Sequence, residues 1–356
     1  MGLPLSRRVQ TFDRGRHHRD SPQHRRRARP WPAAGHEMID LLPNGEEQAL
    51  AENFAQVLAA EAPLARLHQG TDADHALIRQ LAGLGWAGLG VPVDRGGLGC
   101  GAVEEILLMR EAGRQLVGPR LAATMLAAHL AQEPTPFIDG SRGASLAIPA
   151  GDGSWYRFDH RPGDACIAAG EGLALVEEGA FANPVASRAI DDSVILERGT
   201  LNAPAGDDFA SRRFALWVAA ILVGTAEAAR DMAVAYAKVR EQFGQPIGAF
   251  QAIKHRCADM ALRCEAAWAQ TSFAALALGG QRSDAAFQVS AARLIAGDAA
   301  LQNSRGNVQV HGGIGFTEEC DAQLFVRRTQ LWLHIAGSSR AHQRILLACQ
   351  PPGIEA

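Results

Sequence analysis

The chain has 356 residues, 47% hydrophobic and 21% charged, enough for two or three packed domains around a sizeable core. A net charge of −3 argues against a nucleic-acid footprint over the whole chain, and no apolar run reaches the ~18 to 20 residues that span a bilayer. Six cysteines (Cys100, Cys166, Cys257, Cys264, Cys320, Cys349) form no CxxC pair and no Cys/His cluster at metal spacing, which implies free thiols, no metal and a cytoplasmic setting.

Residues 1–37 carry nine arginines against three acids, +6, leaving −9 for the rest. With four prolines and almost no apolar periodicity this basic extension cannot bury enough surface to order itself. Met38 opens a stretch that reads like a natural amino terminus. From 38 to 134 the pattern is helical: "EEQALAENFAQVLAA" puts Leu50, Phe54, Val57 and Leu58 on one stripe, and "HALIRQLAGLGW" and "AVEEILLMREAGRQL" repeat it around a glycine-rich loop. From 135 to 205 short apolar runs ("ASLAIPA", "ACIAAG", "LALVEEG", "SVILERG") alternate with turn residues, which predicts a small β domain of four to six strands without helix. From 206 to 349 long helices return, four of them on short loops, which suggests a bundle with Trp217 and Trp332 in its core; residues 350–356 form a tail. The fold class expected is therefore mainly α with a small middle β domain.

Two helices in the last region end abruptly. "REQFGQPIG" places Gly244, Pro246 and Gly248 at alternate positions, which no helix tolerates, and "QVHGGIGF" ends another helix in glycines. Such ends leave backbone groups free and let a ligand approach closely. Arg240 adds a permanent cation suited to phosphate, Gln242 and Gln309 add neutral hydrogen-bonding arms, and Phe243 adds an aromatic face. An anionic, partly aromatic ligand such as a dinucleotide would satisfy them all. Taken singly, each break also reads as an ordinary helix cap.

Residues 45–349 resemble the flavin-dependent acyl-CoA dehydrogenases, most strongly in "YAKVREQFGQPIGAFQAIKHRCADM", "QVHGGIGFTEE" and "GLGWAGLGVPVDRGGLG". The resemblance implies a helical domain, a middle β domain and a four-helix bundle, with FAD as cofactor and an acyl-CoA as substrate. It also implies that Arg240, Gln242 and Phe243, with Gln309, Gly312 and Gly313, contact the FAD of a neighbouring subunit.

The family pattern fails where chemistry is expected. The glutamate that takes the substrate α-proton falls, by ungapped counting, on Ala336 in most members and on Phe214 in a minority. The nearest acids in sequence are Asp208 and Glu227 around Phe214, and Asp321 and Glu355 around Ala336. The flavin-binding "TEP..GSD" stretch is reduced to "AIPAGDGSW", keeping Pro149. The sequence looks similar to the base-lacking chain of α2β2 dehydrogenases that act on bulky acyl-CoAs in steroid breakdown. A self-sufficient homo-oligomer with an unrecognised base and a flavin monooxygenase on the same scaffold stay open. His334, two residues before Ala336, is expected to point away from it, and Arg212 and Arg213 to be exposed charges.

Overall fold

The computed structural model describes residues 41–349, apart from residues 42 and 71–72; the basic extension 1–37 and the tail 350–356 lie outside the described residues. The first helix, α1 (Gly45–Glu61), begins at a capping box: the Asn44 side chain accepts from the N–H groups of Glu46 and Glu47, and Glu47 reaches back to the Asn44 N–H at 2.8 Å. It buries Phe54, whose ring meets Trp86 edge-on at 4.7 Å. Then come α2 (Ala73–Gly83), 3-10 turns at Trp86–Gly88 and Val93–Arg95, α3 (Ala102–Arg114), α4 (Pro119–Leu130) and the short α5 (Thr135–Ile138). Pro119 sits in the first turn of α4, where its missing N–H has no helical role.

A six-stranded sheet follows: β1 (Ala144–Pro149), β2 (Trp155–Phe158), β3 (Ala165–Gly170), β4 (Gly172–Val176), β5 (Phe181–Ser187) and β6 (Leu196–Leu201), in the order β4-β3-β1-β2-β6-β5. Only β1 and β3 run parallel, with Leu146 opposite Ile167; the other pairs are antiparallel. The inner pair β1 and β3 is almost wholly buried, which is why these segments read as unbroken apolar runs rather than as alternation. The expected four to six strands are present, but the helix-free expectation misses α5, a single turn introduced by Pro134 and Pro136.

The bundle contains α6 (Asp208–Val239), a two-strand ribbon of β7 (Glu241–Gln242) and β8 (Gln245–Pro246), α7 (Gln251–Gly279), α8 (Ala285–His311), α9 (Ala322–His334) and α10 (Ser339–Ala348). α9 is additional to the four helices expected, because glycines and acids precede it and hide its start. Trp217 and Trp332 are both fully buried. By length and composition α6 could cross a bilayer, yet 78% of its apolar window is buried against protein.

One apolar core runs through the amino-terminal helices, the inner sheet face and the bundle. Helices α3 and α6 meet backbone to backbone: a Cβ at Gly113 would lie 2.0 Å from the Ile221 carbonyl oxygen, and one at Gly224 would lie 1.8 Å from that of Arg110. Beside this contact Arg110 grips Glu227 through two bonds, of 2.7 and 2.8 Å, while Arg114 reaches Glu227 and Asp231. The sheet is tied down by buried ion pairs, Arg120 with Asp164 and Arg328 with Asp191. Buried charges are tolerated when paired and hydrogen-bonded in this way.

Candidate functional site

Two cavities share one wall. The first, about 430 Å³, lies between the sheet and helices α6, α8 and α10, with an apolar lining that includes Leu173, Ala215, Val289 and Ile345. The second, about 670 Å³, lies against β1, β2 and the end of α9, and includes Pro149, Tyr156, Phe158 and Gln330. Ala169, Gly170, Ala336 and Gly337 line both. A third space of about 460 Å³ continues the first through Arg212 and Ala286 toward Phe209 and Arg282. Such volumes suit small-molecule ligands.

Ala336 and Phe214 are 122 positions apart in sequence, yet both line the first cavity. Neither can take a proton. The ionisable side chains on that lining are Asp208, exposed at the start of α6, Arg212, and His342. His342 was not singled out from the sequence: it sits in a short amphipathic helix with no motif around it, and only folding brings it to this wall.

Its surroundings are specific. His342 is 4% exposed, with Nε2 2.8 Å from the Ala336 carbonyl oxygen and Nδ1 3.3 Å from the Ser290 hydroxyl. Burial pushes the imidazole below its ordinary value, opposed by the Ala336 bond and reinforced by Arg293. Arg293, 2% exposed, donates to the carbonyls of Trp332 and Ile335 at 2.7 and 3.1 Å. Burial pushes it down to about 10. The turn that carries Ala336 is thus held from below by two side chains, and Ala336 itself is left-handed at φ 59°. His334 closes α9 and is exposed; it lines only the second cavity.

Arg213 corrects an expectation. It is half-buried rather than exposed, because its guanidinium lies 2.8 Å from Glu105, a fully buried carboxylate that also meets His129 and accepts from Trp217. Arg212 is likewise half-buried rather than exposed, with no ion-pair partner among the described residues. Cys264 is buried and its thiol pushed up to about 12, while Cys257, expected on the same core face, is only half-buried.

The second cluster lies elsewhere. Arg240 caps the carboxyl end of α6, and the chain then turns back in a ribbon whose corner residues, Phe243 and Gly244, both have positive φ, 54° and 77°. Two positive φ values are what a tight hairpin of this hand requires. Phe243 is 93% exposed, touching Phe250 edge-on at 6.1 Å. Gln242 donates to the Glu241 carbonyl, and Arg240 is exposed with no ion-pair partner among the described residues. The other break lies alongside, because Tyr236 stacks on His311 at 4.1 Å. Gln309 is exposed on the last turn of α8, and a Cβ added at Gly312 or Gly313 would meet nothing within 4 Å. These glycines do not serve internal packing; they leave an outward face open.

Arg240 and Phe214 cap and occupy the same helix, 26 residues apart, so roughly 39 Å separates the break cluster from this chain's first cavity. That is beyond the span of one bound dinucleotide. The second cavity has no arginine or lysine on its lining to meet a pyrophosphate. Among the described residues no group of three His, Cys, Asp or Glu is placed to hold a metal.

Such an arrangement, helical domain, sheet and bundle with cavities at their junction, defines a three-part scaffold with room for small-molecule ligands. Residues 44–135 match the acyl-CoA dehydrogenase N-terminal domain and residues 206–349 the acyl-CoA dehydrogenase C-terminal domain, flanking the sheet. The chain is 37% identical over 307 residues to the acyl-CoA dehydrogenase FadE34 of Mycobacterium tuberculosis, covering 78% of this chain and 43% of FadE34; it therefore spans less than half of that relative. It is 30% identical over 302 residues to the acyl-CoA dehydrogenase IpdE2 of the same organism, covering 81% of this chain and 92% of IpdE2. In fold it superposes on a chain of the ChsE4–ChsE5 complex of M. tuberculosis with a TM-score of 0.71 at 20% identity, covering 88% of this chain and all of that one. The chain belongs to the acyl-CoA dehydrogenase family, a family of FAD-dependent oxidoreductases.

Proposed function

We propose that this chain is the base-lacking subunit of a heteromeric acyl-CoA dehydrogenase, an α2β2 assembly in the cytoplasm that desaturates a bulky acyl-CoA of the steroid type, and that it completes the FAD site of its partner chain. The observation that carries this reading is the separation along α6: an open, unpaired phosphate-binding cluster at one end, and at the other a cavity without a carboxylate at either family base position. A cluster roughly 39 Å from this chain's first cavity is out of reach of a ligand held there, which supports its use by another chain.

The break residues fit an edge of FAD. Arg240 supplies the counter-charge to a pyrophosphate, Phe243 offers an aromatic face, and Gln242 and Gln309 donate or accept beside it. Gly312 and Gly313 let the ligand approach the backbone. Bound FAD would take the hydride from the substrate β-carbon, and the partner's carboxylate would take the α-proton. In this chain the apolar cavity holds an acyl group, and Arg212 at its junction with the third space faces the anionic end. The pairing of ChsE4 with ChsE5 in a complex and the 43% coverage of FadE34, the share expected if two such units lie on one chain, support a paired arrangement.

The test is purification of the chain alone and co-expressed with an adjacent dehydrogenase-like gene, measuring flavin absorbance, assembly mass and desaturation. A colourless lone chain and a yellow, active heterotetramer are expected. A lone chain that is yellow, homo-oligomeric and desaturates an acyl-CoA would overturn the reading.

A further inference from the structure

We infer that the first and second cavities form one binding site, which holds a bulky acyl thioester in this chain without transforming it. The part of the acyl group next to the thioester lies in the first cavity, and an uncharged ring system beyond it lies in the second. This extends the acyl-thioester reading of the first cavity, on which it rests, past the boundary with the second. The boundary is thin. Among the residues common to both linings, Ala169, Gly170, Ala336 and Gly337, no side chain is larger than a methyl group.

The fold keeps it thin. A Cβ at Gly170 would stand 2.9 Å from the Trp155 ring. Gly337 combines φ 94° with a Cβ position 3.1 Å from His342 Nε2, so neither glycine gains a side chain without strain or a shift of its neighbour. Ala336 is the position where the family's glutamate is expected. A glutamate there would stand on the boundary, and the methyl group leaves it open. The residue that deprives the chain of a base is therefore also the one that joins its cavities.

Charge sets the direction of the ligand. The third space meets the first cavity at Arg212 and Ala286, and Arg282 also lines it. Arg282 is bound to Asp284 at 2.6 and 2.7 Å, which leaves Arg212 as the cation for an anionic end. Beyond the boundary the second cavity carries no arginine or lysine, and Ile148, Phe158, Leu196 and Leu331 make its lining mainly apolar. Removing an apolar ring system from water there supplies affinity. Half-buried Tyr156 and Gln330 offer hydrogen bonds to a polar substituent on it. A dinucleotide would bring its pyrophosphate to a wall without countercharge, whereas an uncharged ring system meets no such penalty.

The experiment uses the full chain, purified without added flavin, and compares butyryl-CoA with pyrenebutanoyl-CoA by isothermal titration calorimetry. The two probes share the acyl linker, and the second adds an uncharged polycyclic end. Wild type should bind the pyrene probe about 10-fold or more tightly than butyryl-CoA. Two variants locate the ring: Ala169→Leu on the boundary, and Ala189→Trp on the lining of the second cavity alone. Each should remove most of that gain, with thermal melts checking the fold. Pyrene emission is a readout that needs no variant, and its band pattern should report an apolar surrounding. Equal binding of the two probes, a gain that survives in either folded variant, or a water-like emission pattern would each overturn the inference. Binding of neither probe would remove the acyl-thioester reading on which it stands. Flavin content and desaturation by the co-expressed pair play no part in these readouts, so the two proposals fail separately.

Discussion

The two ends of α6 obey different rules. At its carboxyl end, Arg240, Gln242, Phe243, Gln309 and Gly313 are exposed beside half-buried Gly312, and Arg240 has no ion-pair partner among the described residues. Toward its amino end, several buried polar side chains find partners within the chain: Glu105 with Arg213, His342 with Ala336, Arg293 with the end of α9. Most polar groups that face inward are matched within the chain, Arg293 Nε and Trp332 Nε1 being exceptions, because an unmatched buried group costs about 1–3 kcal/mol. Polar groups left open on the surface are free to be matched by something outside it. The contrast separates an outward-facing region from an inward-facing one, and the proposed role of the first in a partner's FAD site rests on that difference.

The largest effect should come from the self-contained region. Arg328 donates to Asp191 at 2.6 Å and to the Leu116 carbonyl and Ser193 hydroxyl, locking α9 to the sheet loop and to the end of α3. Arg328→Leu leaves a buried carboxylate and should cost about 3–5 kcal/mol in denaturant unfolding. If the loss is under ~1 kcal/mol, the cavity wall does not depend on that pair. The same pair has a pH signature. Burial raises the Asp191 carboxyl, but Arg328 and Ser193 outweigh it, so the folded value lies below the usual 3.8. The stability it contributes is complete above the unfolded value and drains away as pH falls below about 4. Asp191→Asn should flatten that acid limb of the stability curve.

A smaller effect is expected at the open end. Arg240→Ala should weaken flavin retention by the assembled pair about 10- to 100-fold, the equivalent of a charged hydrogen bond worth ~1.5–3 kcal/mol. Unfolding of the lone chain should stay within ±0.5 kcal/mol. Flavin retained unchanged would break the comparison. The smallest effect sharpens it: Phe243 adopts a left-handed conformation with no burial to offset the strain. Phe243→Gly should stabilise the lone chain by about 1 kcal/mol while lowering flavin retention by the pair. A destabilised lone chain would mean the ring serves the fold after all.

Much of this was legible in the sequence because local chemistry dictates it. Helix breaks are written in Gly244, Pro246 and Gly312, and the apolar runs of β1 and β3 announce buried strands. Other features were not. α9 was hidden by the polar stretch before it, and Arg213 looked exposed because its partner Glu105 is 108 positions away. Ion pairing across that separation leaves no periodic trace.

The sequence by itself determined the helix–sheet–helix order, the two breaks and the family, since each depends on residue type at short spacing. Only the tertiary structure decided that Phe214 and Ala336 line one cavity, that His342 stands beside them, and that the open cluster lies about 39 Å away along α6. Those are relations between segments, set when helices pack at backbone contacts such as Gly113 against Gly224, and no local pattern encodes them.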